Sequence, residues 1–80
     1  MSVQVRYFAA AAAAAGVTEE SVEPGTLAQI TQRIGDKHGA LMGKVLPACS
    51  FLVNGTSTTD HGTEVAAGSS IDILPPFAGG

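Results

Sequence analysis

The sequence is poor in cysteine, tryptophan and basic residues, and each shortage excludes a class of protein. It has 80 residues, with Cys49 as the single cysteine and no tryptophan. One cysteine cannot form an internal disulfide, so a hydrophobic core must stabilise the fold. Four Lys and Arg against seven Asp and Glu give a formal net charge of -3, which argues against binding to nucleic-acid phosphates. No apolar run approaches the ~20 residues that a membrane-spanning helix requires.

The sequence also lacks a recognisable catalytic or metal-binding set. His38 and His61 have no plausible partner cluster, and no Cys/His group has metal-ligand spacing. The stretch Gly39–Val45 is similar to a phosphate loop, but it is one residue short and has valine at the magnesium-binding position. Cys49 lies in an apolar stretch, where cysteine usually behaves as a small hydrophobic residue. Any chemistry must therefore come from a partner.

The composition predicts one folded domain followed by a short tail. The chain is 45% hydrophobic and 14% charged, which is typical of a small globular domain. We expect residues 1–74 to form this domain and residues 75–80 to extend from it. Ala9–Ala15 follows Arg6 in the manner of a secretion signal, but a strand-like segment precedes it and alanine favours membranes only weakly. A cytoplasmic location is expected.

The first third of the chain predicts a strand, a short helix and an edge strand. Apolar and polar residues alternate in Val3–Tyr7, which indicates a half-buried strand with Phe8 on its opposite face. Ala9–Ala15 predicts a helix because alanine has the highest helix propensity, and Gly16 is a natural stop. Val17–Glu23 predicts a strand whose three glutamates suit the edge of a sheet.

A capping box predicts the start of the main helix. Thr26 and Gln29 have the spacing at which each side chain can bond to the other residue's backbone N–H. Gly39 is expected to end this helix. The apolar stripe expected to face the sheet consists of Leu27, Ile30 and Ile34.

The second half predicts a short helix and two more main strands. Residues 41–46 are expected to form a single helical turn that closes the core, and Cys49–Asn54 a strand. Asn54-Gly55 is a strong turn signal. Thr56–Val65 is polar and predicts a loop with a short strand near its end. Ser70–Leu74 predicts the last strand, with alternate residues facing inward.

These segments together predict an α+β domain in which one mixed sheet wraps around one main helix. The predicted core consists of Val3, Val5, Tyr7, Val22, Leu27, Ile30, Ile34, Leu41, Leu46, Phe51, Val53, Val65, Ile71 and Ile73. Burying each of these side chains contributes about 1.5–3 kcal/mol, against an entropy cost of similar total size.

The last strand runs directly into a tail of unusual composition. Pro75 and Pro76 cannot donate ladder hydrogen bonds, so the strand should end before them and the chain should leave in an extended form. The tail ends in Gly79-Gly80, which has no Cβ and can enter a narrow channel. At about 3.3 Å a residue, the tail can reach roughly 20 Å into a neighbouring protein.

The strand, the two prolines and the ending Phe77-Ala78-Gly79-Gly80 together resemble the ubiquitin-like sulfur-carrier family. The closest resemblance is to the small subunits of molybdopterin synthase, and it extends to Val3–Ala10 and to Cys49–Leu52. It implies a β-grasp fold in which the first and last strands are adjacent and parallel.

The resemblance also implies a function. In that family a ubiquitin-activating-like adenylyltransferase uses ATP to adenylate the C-terminal glycine, here Gly80, and a sulfur donor protein converts it to a thiocarboxylate. The large subunit of a heterotetrameric synthase then receives the tail, including Gly79, and the sulfur passes to a cyclic pyranopterin monophosphate. No permanently bound cofactor or metal is implied. The residues implied to bind partners are Phe8, Leu74, Pro75, Pro76, Phe77 and Ala78. A third docking position falls near Ser57, where the family usually has an apolar residue.

Three other functions fit the same sequence features. The chain could carry sulfur for thiazole or cysteine synthesis, with the same chemistry at Gly80. It could instead be a protein modifier that is joined through Gly80 to lysine side chains. It could also be an interaction domain with an inert tail.

Overall fold

The computed structural model describes residues 2–76, so the predictions made for Phe77, Ala78, Gly79 and Gly80 lie outside the described residues. The strands are β1 Val3–Tyr7, β2 Glu19–Val22, β3 Gly25–Thr26, β4 Ser50–Val53, β5 Thr56–Thr58, β6 Glu64–Val65 and β7 Ser70–Leu74. The helices are α1 Ala9–Ala15, α2 Leu27–His38 and α3 Ala40–Val45, and a 3₁₀ helix spans Leu46–Ala48.

The main sheet has five strands in the order β2-β1-β7-β4-β5. Its first and last main strands, β1 and β7, pair in parallel, from Gln4 opposite Ser70 to Tyr7 opposite Ile73. The other neighbours in this sheet are antiparallel. The predicted adjacency and direction of the first and last strands are therefore confirmed, as is the position of β2 at an edge. Strands β3 and β6 form a second, two-stranded sheet.

One face of the main sheet packs against the helices. Alternate residues of β1 and β7 are fully buried on this face, together with the apolar stripe of α2, as their periodicity predicts. The buried core consists of Val3, Val5, Tyr7, Ala11, Leu27, Ile30, Ile34, Met42, Leu46, Phe51, Val65, Ile71 and Ile73.

The capping box at the start of α2 is confirmed. The Thr26 hydroxyl accepts a hydrogen bond from the Gln29 N–H at 3.2 Å, and the Gln29 side chain accepts one from the Thr26 N–H at 2.9 Å. Gly25 precedes this box, and a Cβ at Gly25 would lie 2.7 Å from the Gln29 side-chain oxygen. Glycine at this position therefore leaves room for the capping side chain. At the other end, Gly39 has a φ of 86°, which ends the helix as predicted.

One core prediction was wrong, and two were confirmed only in part, since Val22 and Val53 pack against the core without being fully buried. Leu41 is 58% exposed, whereas its neighbour Met42 is fully buried. Because α3 is only six residues long, its rotation about its own axis is set by packing against α1 and α2 rather than by a repeated apolar stripe. Val22 and Val53 are only partly buried, since β2 is an edge strand and Val53 ends β4.

The segment predicted as a loop after Asn54-Gly55 contains an additional strand. Both turn residues have positive φ, 51° for Asn54 and 82° for Gly55, as a two-residue hairpin requires. The hairpin pairs β4 with β5, from Val53 opposite Thr56 to Phe51 opposite Thr58. Strand β5 was missed because three polar residues give no apolar alternation.

The alanine helix α1 packs closely against the rest of the fold. Ala11 is fully buried, and α1 contacts α3 and the ends of β1 and β7. Gly16 ends the helix with a φ of 75°, and its N–H bonds to the Ala12 carbonyl, so the predicted stop is confirmed. The tight turn from β1 into α1 places Ala9 at a φ of 51°, which an L-residue adopts with strain.

This strain predicts different responses to glycine at two adjacent exposed positions. Ala9→Gly should leave the free energy of unfolding unchanged or raise it by up to about 1 kcal/mol, because relief of the left-handed strain offsets the added backbone entropy. Ala10 has ordinary helical geometry, so Ala10→Gly should lower the free energy of unfolding by about 0.5–1 kcal/mol. Urea denaturation of both variants measures the difference. Equal destabilisation by the two substitutions would contradict the strain at Ala9.

Candidate functional site

The face of the main sheet opposite the helices forms the candidate site. Within residues 2–76, none of its side chains belongs to the buried core. We call this surface the outer face. Its residues are Glu19 and Ser21, then Gln4, Arg6 and Phe8, then Ser70, Asp72 and Leu74, then Ser50, Leu52 and Ser57. Because the described helices pack on the other side, this face is open to a partner.

The structure brings together two residues that the family resemblance implied for docking. The Phe8 N–H donates to the Ile73 carbonyl at 3.2 Å, which places Phe8 beside Leu74 at the end of the parallel pair. Ser50 lies opposite Leu74 on its other side. Phe8 is 41% exposed although it is a large aromatic residue, and Leu74 is partly buried. An exposed apolar corner of this kind is typical of an interaction site.

The third docking position, Ser57, is aligned across the strands with Leu52 and Asp72, two residues along the sheet from the level of Leu74. Ser57, on the edge strand β5, is opposite Leu52 of β4, which in turn is opposite Asp72. The apolar side chain on this part of the outer face is therefore Leu52. We call Phe8, Leu52 and Leu74 the outer patch. Leu52 was not predicted to be a docking residue, although an apolar side chain between the predicted core residues Phe51 and Val53, and so on the opposite face of the strand, was a usable signal.

An ion pair crosses the two central strands within the outer face. The Arg6 guanidinium donates to Asp72 through Nε at 2.6 Å and through Nη2 at 2.9 Å, so the carboxylate is held by a two-pronged contact. The Asp72 side chain is 13% exposed and that of Arg6 is 50% exposed. The hydrogen bond and charge of Asp72, with a smaller contribution from Glu19, raise the pKa of Arg6, which stays cationic. The pair was not predicted, because it needs the strand register.

The last strand ends at the same corner of the sheet. Strand β7 stops at Leu74, Pro75 is partly buried, and Pro76 is exposed in a bend. Neither proline has an N–H to extend the ladder. The chain therefore leaves the sheet beside Phe8, at the exposed apolar corner.

A second cluster links the edge strand β2 to the end of α2, and it corrects the prediction that His38 has no partner. His38 Nε2 lies 2.8 and 2.9 Å from the two carboxylate oxygens of Glu20. Lys37 Nζ lies 3.5 Å from the same carboxylate. Glu20 and His38 are each only 11% exposed. Lys37 and His38 lie in the last turn of α2, where the helix dipole favours positive charge.

This cluster changes the acidity of its members. Burial alone would raise the pKa of Glu20, but the hydrogen bond and charge of His38, with the charge of Lys37, outweigh burial and lower it. The Tyr7 ring packs edge-on against His38 at 5.9 Å between ring centres. Burial, and then the Glu20 charge, raise the pKa of Tyr7, whose buried hydroxyl has no hydrogen-bond partner within residues 2–76. The cluster contributes to the fold and lies away from the outer face.

Cys49 and His61, the other candidate reactive groups, make contacts within the fold. The Cys49 thiol donates to the Val45 carbonyl at 3.2 Å, and burial raises its pKa, which disfavours the reactive thiolate. His61 packs edge-on against Phe51 at 5.8 Å. The phosphate-loop-like stretch Gly39–Val45 forms the helix α3, preceded by Gly39, and not a phosphate-binding loop.

No group of three or more His, Cys, Asp or Glu residues among residues 2–76 could hold a metal ion. In the same part of the chain, no helix has the length and apolar character needed to cross a bilayer.

The topology and the match to known families agree. A mixed sheet that wraps around one main helix, with parallel first and last strands, defines a β-grasp domain of the ubiquitin-like class. The family model of the ThiS family matches residues 5–80. The chain belongs to the ThiS family. A comparison with curated protein sequences finds no match.

Several solved structures share the fold over nearly the whole chain. SAMP1 from Haloferax volcanii is 26% identical, with a TM-score of 0.83 and full coverage of both chains. In a complex of subunits 1 and 2 of molybdopterin-converting factor from Helicobacter pylori 26695, the matching chain is 22% identical, with a TM-score of 0.73 and full coverage of both. A putative molybdopterin converting factor subunit 1 from Pyrococcus furiosus is 23% identical, with a TM-score of 0.79, covering 96% of this chain and 99% of that one.

The Glu20–His38 pair predicts a specific dependence of stability on pH. Because the pKa of Glu20 is lowered on folding, its stabilisation is present above the unfolded-state value of 4.5 and is lost as the pH falls through the lower folded-state value. Glu20→Gln should lower the free energy of unfolding by about 1–2 kcal/mol at neutral pH. The difference from wild type should shrink below about pH 4.

Urea denaturation at a series of pH values measures this difference, with the exposed Glu23→Gln as the control. A difference between wild type and Glu20→Gln that stays constant down to about pH 3 would show that the pair is not linked to protonation.

Proposed function

We propose that this protein is a cytoplasmic sulfur carrier for molybdenum cofactor biosynthesis. Its Gly80 carboxylate is adenylated, converted to a thiocarboxylate, and used as the sulfur donor in the large subunit of molybdopterin synthase. The observation that carries this proposal is the corner of the sheet where β7 ends at Leu74 beside the exposed Phe8. From there, six residues lead to the terminal glycine of a ThiS-family sequence.

The chemistry explains why a carrier needs partners. A carboxylate is a poor electrophile, because an oxide ion is a poor leaving group. The activating enzyme supplies ATP, and attack of a Gly80 oxygen on its α-phosphate releases pyrophosphate and leaves an acyl adenylate. Attack on this anhydride by hydrosulfide, delivered by the sulfur donor, expels AMP and gives the thiocarboxylate. The later transfer of that sulfur to the cyclic pyranopterin monophosphate and hydrolysis return the Gly80 carboxylate.

The described part of the chain is suited to presenting the tail rather than to catalysing these steps. Cys49 is the sole cysteine, and burial raises the pKa of its thiol. His38 is engaged with Glu20, and His61 packs against Phe51. The outer patch offers an apolar surface to the enzymes that act on Gly80. The contribution of the domain to the reaction is therefore binding and orientation.

Two observations support the molybdopterin pathway. The sequence ends in Pro75-Pro76-Phe77-Ala78-Gly79-Gly80 and opens with a strand that leads into Phe8, both of which resemble the small subunits of molybdopterin synthase. The structural relative from Helicobacter pylori was solved in a complex of subunits 1 and 2 of molybdopterin-converting factor. A large-subunit partner fits the exposed outer patch. The resemblance further suggests a heterotetramer with that subunit.

A protein-modifier function is the second candidate. Its support is the likeness to SAMP1 from Haloferax volcanii, a protein whose counterpart in Methanosarcina acetivorans is described as a small archaeal modifier protein. A modifier would form isopeptide bonds between Gly80 and lysine side chains of other proteins. Carriers for thiazole or cysteine synthesis share the thiocarboxylate but deliver it to other enzymes. The fate of the activated Gly80 distinguishes these functions: a modifier is joined to lysine side chains, whereas each carrier delivers its sulfur to a different enzyme.

The tail itself provides the first test. Gly79→Leu, or one residue added after Gly80, should abolish sulfur transfer in a reaction reconstituted from the activating enzyme, a sulfur source, the large subunit and the precursor. A side chain at Gly79 or a displaced carboxylate would not fit a channel shaped for bare backbone. The thermal midpoint should not change.

The control for the tail variants is Gly43→Ala, because a Cβ at Gly43 would meet nothing within 4 Å. It should transfer sulfur at the wild-type rate. Wild-type transfer by either tail variant would contradict the proposed role of the tail.

The outer patch provides a second test. Phe8→Ala should weaken binding to the large subunit by about tenfold or more, because truncating a central aromatic at an interface typically has this effect. Val17→Ala is the matched control, since Val17 is similarly exposed, 44% against 41%, but lies outside the outer patch. Isothermal titration calorimetry measures both dissociation constants. Equal, small effects of the two substitutions would argue that the partner binds elsewhere.

A further inference from the structure

We infer that Arg6, held in place by Asp72, is a polar anchor for the protein partner that docks on the outer patch. The inference rests on the proposed function and adds the chemistry of the recognised partner. That partner presents an apolar side chain to Phe8 and Leu74, and an uncharged hydrogen-bond acceptor, such as a backbone or amide carbonyl, to the free donors of Arg6.

The geometry leaves donors available on a fixed guanidinium group. A guanidinium has five N–H donors, and the contact with Asp72 occupies one on Nε and one on Nη2. Three donors therefore remain, on a side chain that is 50% exposed. Asp72 is 13% exposed, so a visiting protein meets mainly the guanidinium and not the carboxylate.

The position of the pair connects it to the outer patch. In the register of the sheet, Arg6 is opposite Asp72, and Asp72 is opposite Leu52. Arg6 lies two residues before Phe8 on the same face of the first strand, and Asp72 two residues before Leu74. A partner that covers Phe8 and Leu74 therefore also covers the guanidinium.

The local charge selects the kind of acceptor. Glu19, Arg6 and Asp72 are neighbours across three strands, and their formal charges sum to -1. A carboxylate from the partner would meet two other carboxylates beside the guanidinium. A carbonyl oxygen accepts the same hydrogen bonds without that repulsion, so an uncharged acceptor fits this site better.

The contact with Asp72 pre-organises the Arg6 side chain, which favours binding. A free arginine side chain loses rotamer entropy when it is fixed. Here the contact with Asp72 fixes the side chain before any partner arrives, so less of this cost falls on association. The backbone ladder and the buried residues of β1 and β7 already set the strand register. The pair is therefore not needed to define the register.

Binding of the full-length protein to the purified large subunit, measured well below the thermal midpoint, tests the anchor. Arg6→Ala should weaken binding by about tenfold or more. Arg6→Lys should weaken it nearly as much, because an ammonium group keeps the charge but loses the planar fork. The control is Arg33→Ala, which removes an exposed arginine of α2, on the other side of the sheet from the outer face, and should change the dissociation constant less than about threefold.

Each other outcome overturns the inference. An Arg6→Ala variant with a lower thermal midpoint but wild-type affinity would show that the pair only stabilises the fold. Retained affinity in Arg6→Lys would show that charge alone matters, as would a steep loss of wild-type affinity with salt. Equal losses in Arg6→Ala and Arg33→Ala would show no particular role for Arg6. If the wild-type protein does not bind the large subunit, the proposed function fails and the inference fails with it.

Discussion

The parallel pairing of the first and last main strands is the constraint on which the rest of the structure depends. It joins residues 66 positions apart in the sequence, Gln4–Tyr7 with Ser70–Ile73, at the centre of the sheet. It brings Phe8 beside Leu74 and aligns Arg6 with Asp72. It also fixes the corner at which the chain leaves the sheet toward its glycine end. The core, the candidate docking surface and the exit of the tail thus share one register.

Features encoded by neighbouring residues could be predicted from the sequence, because the interactions that form them are local. The capping box at Thr26, the turn at Asn54-Gly55 and the alternation in β1 are of this kind. Features that depend on packing between distant segments could not be predicted in the same way. Leu41 is exposed although it was predicted to be buried, because α3 is too short to set its own rotation, and β5 has no apolar residue to mark it.

The candidate site divides in the same manner. Phe8 and Leu74 were identified through the family resemblance, and the structure places them together. The pairs Arg6–Asp72 and Glu20–His38 could be found only with the strand register and the helix position in hand, because their partners lie 66 and 18 residues apart. Arg6 and Asp72 both occupy outward positions of strands that were expected to pair. An assumed register for these strands would therefore have suggested the Arg6–Asp72 pair.

In the proposed function, the domain presents Gly80, and other proteins activate and consume it. Intact mass spectrometry of the protein purified from its own cells tests this most directly. The account predicts a species in which one oxygen of the C-terminal carboxylate is replaced by sulfur, and its disappearance when the activating enzyme is deleted. A C-terminal carboxylate with no sulfur in every preparation, together with Gly80 joined to lysine side chains of other proteins, would contradict it.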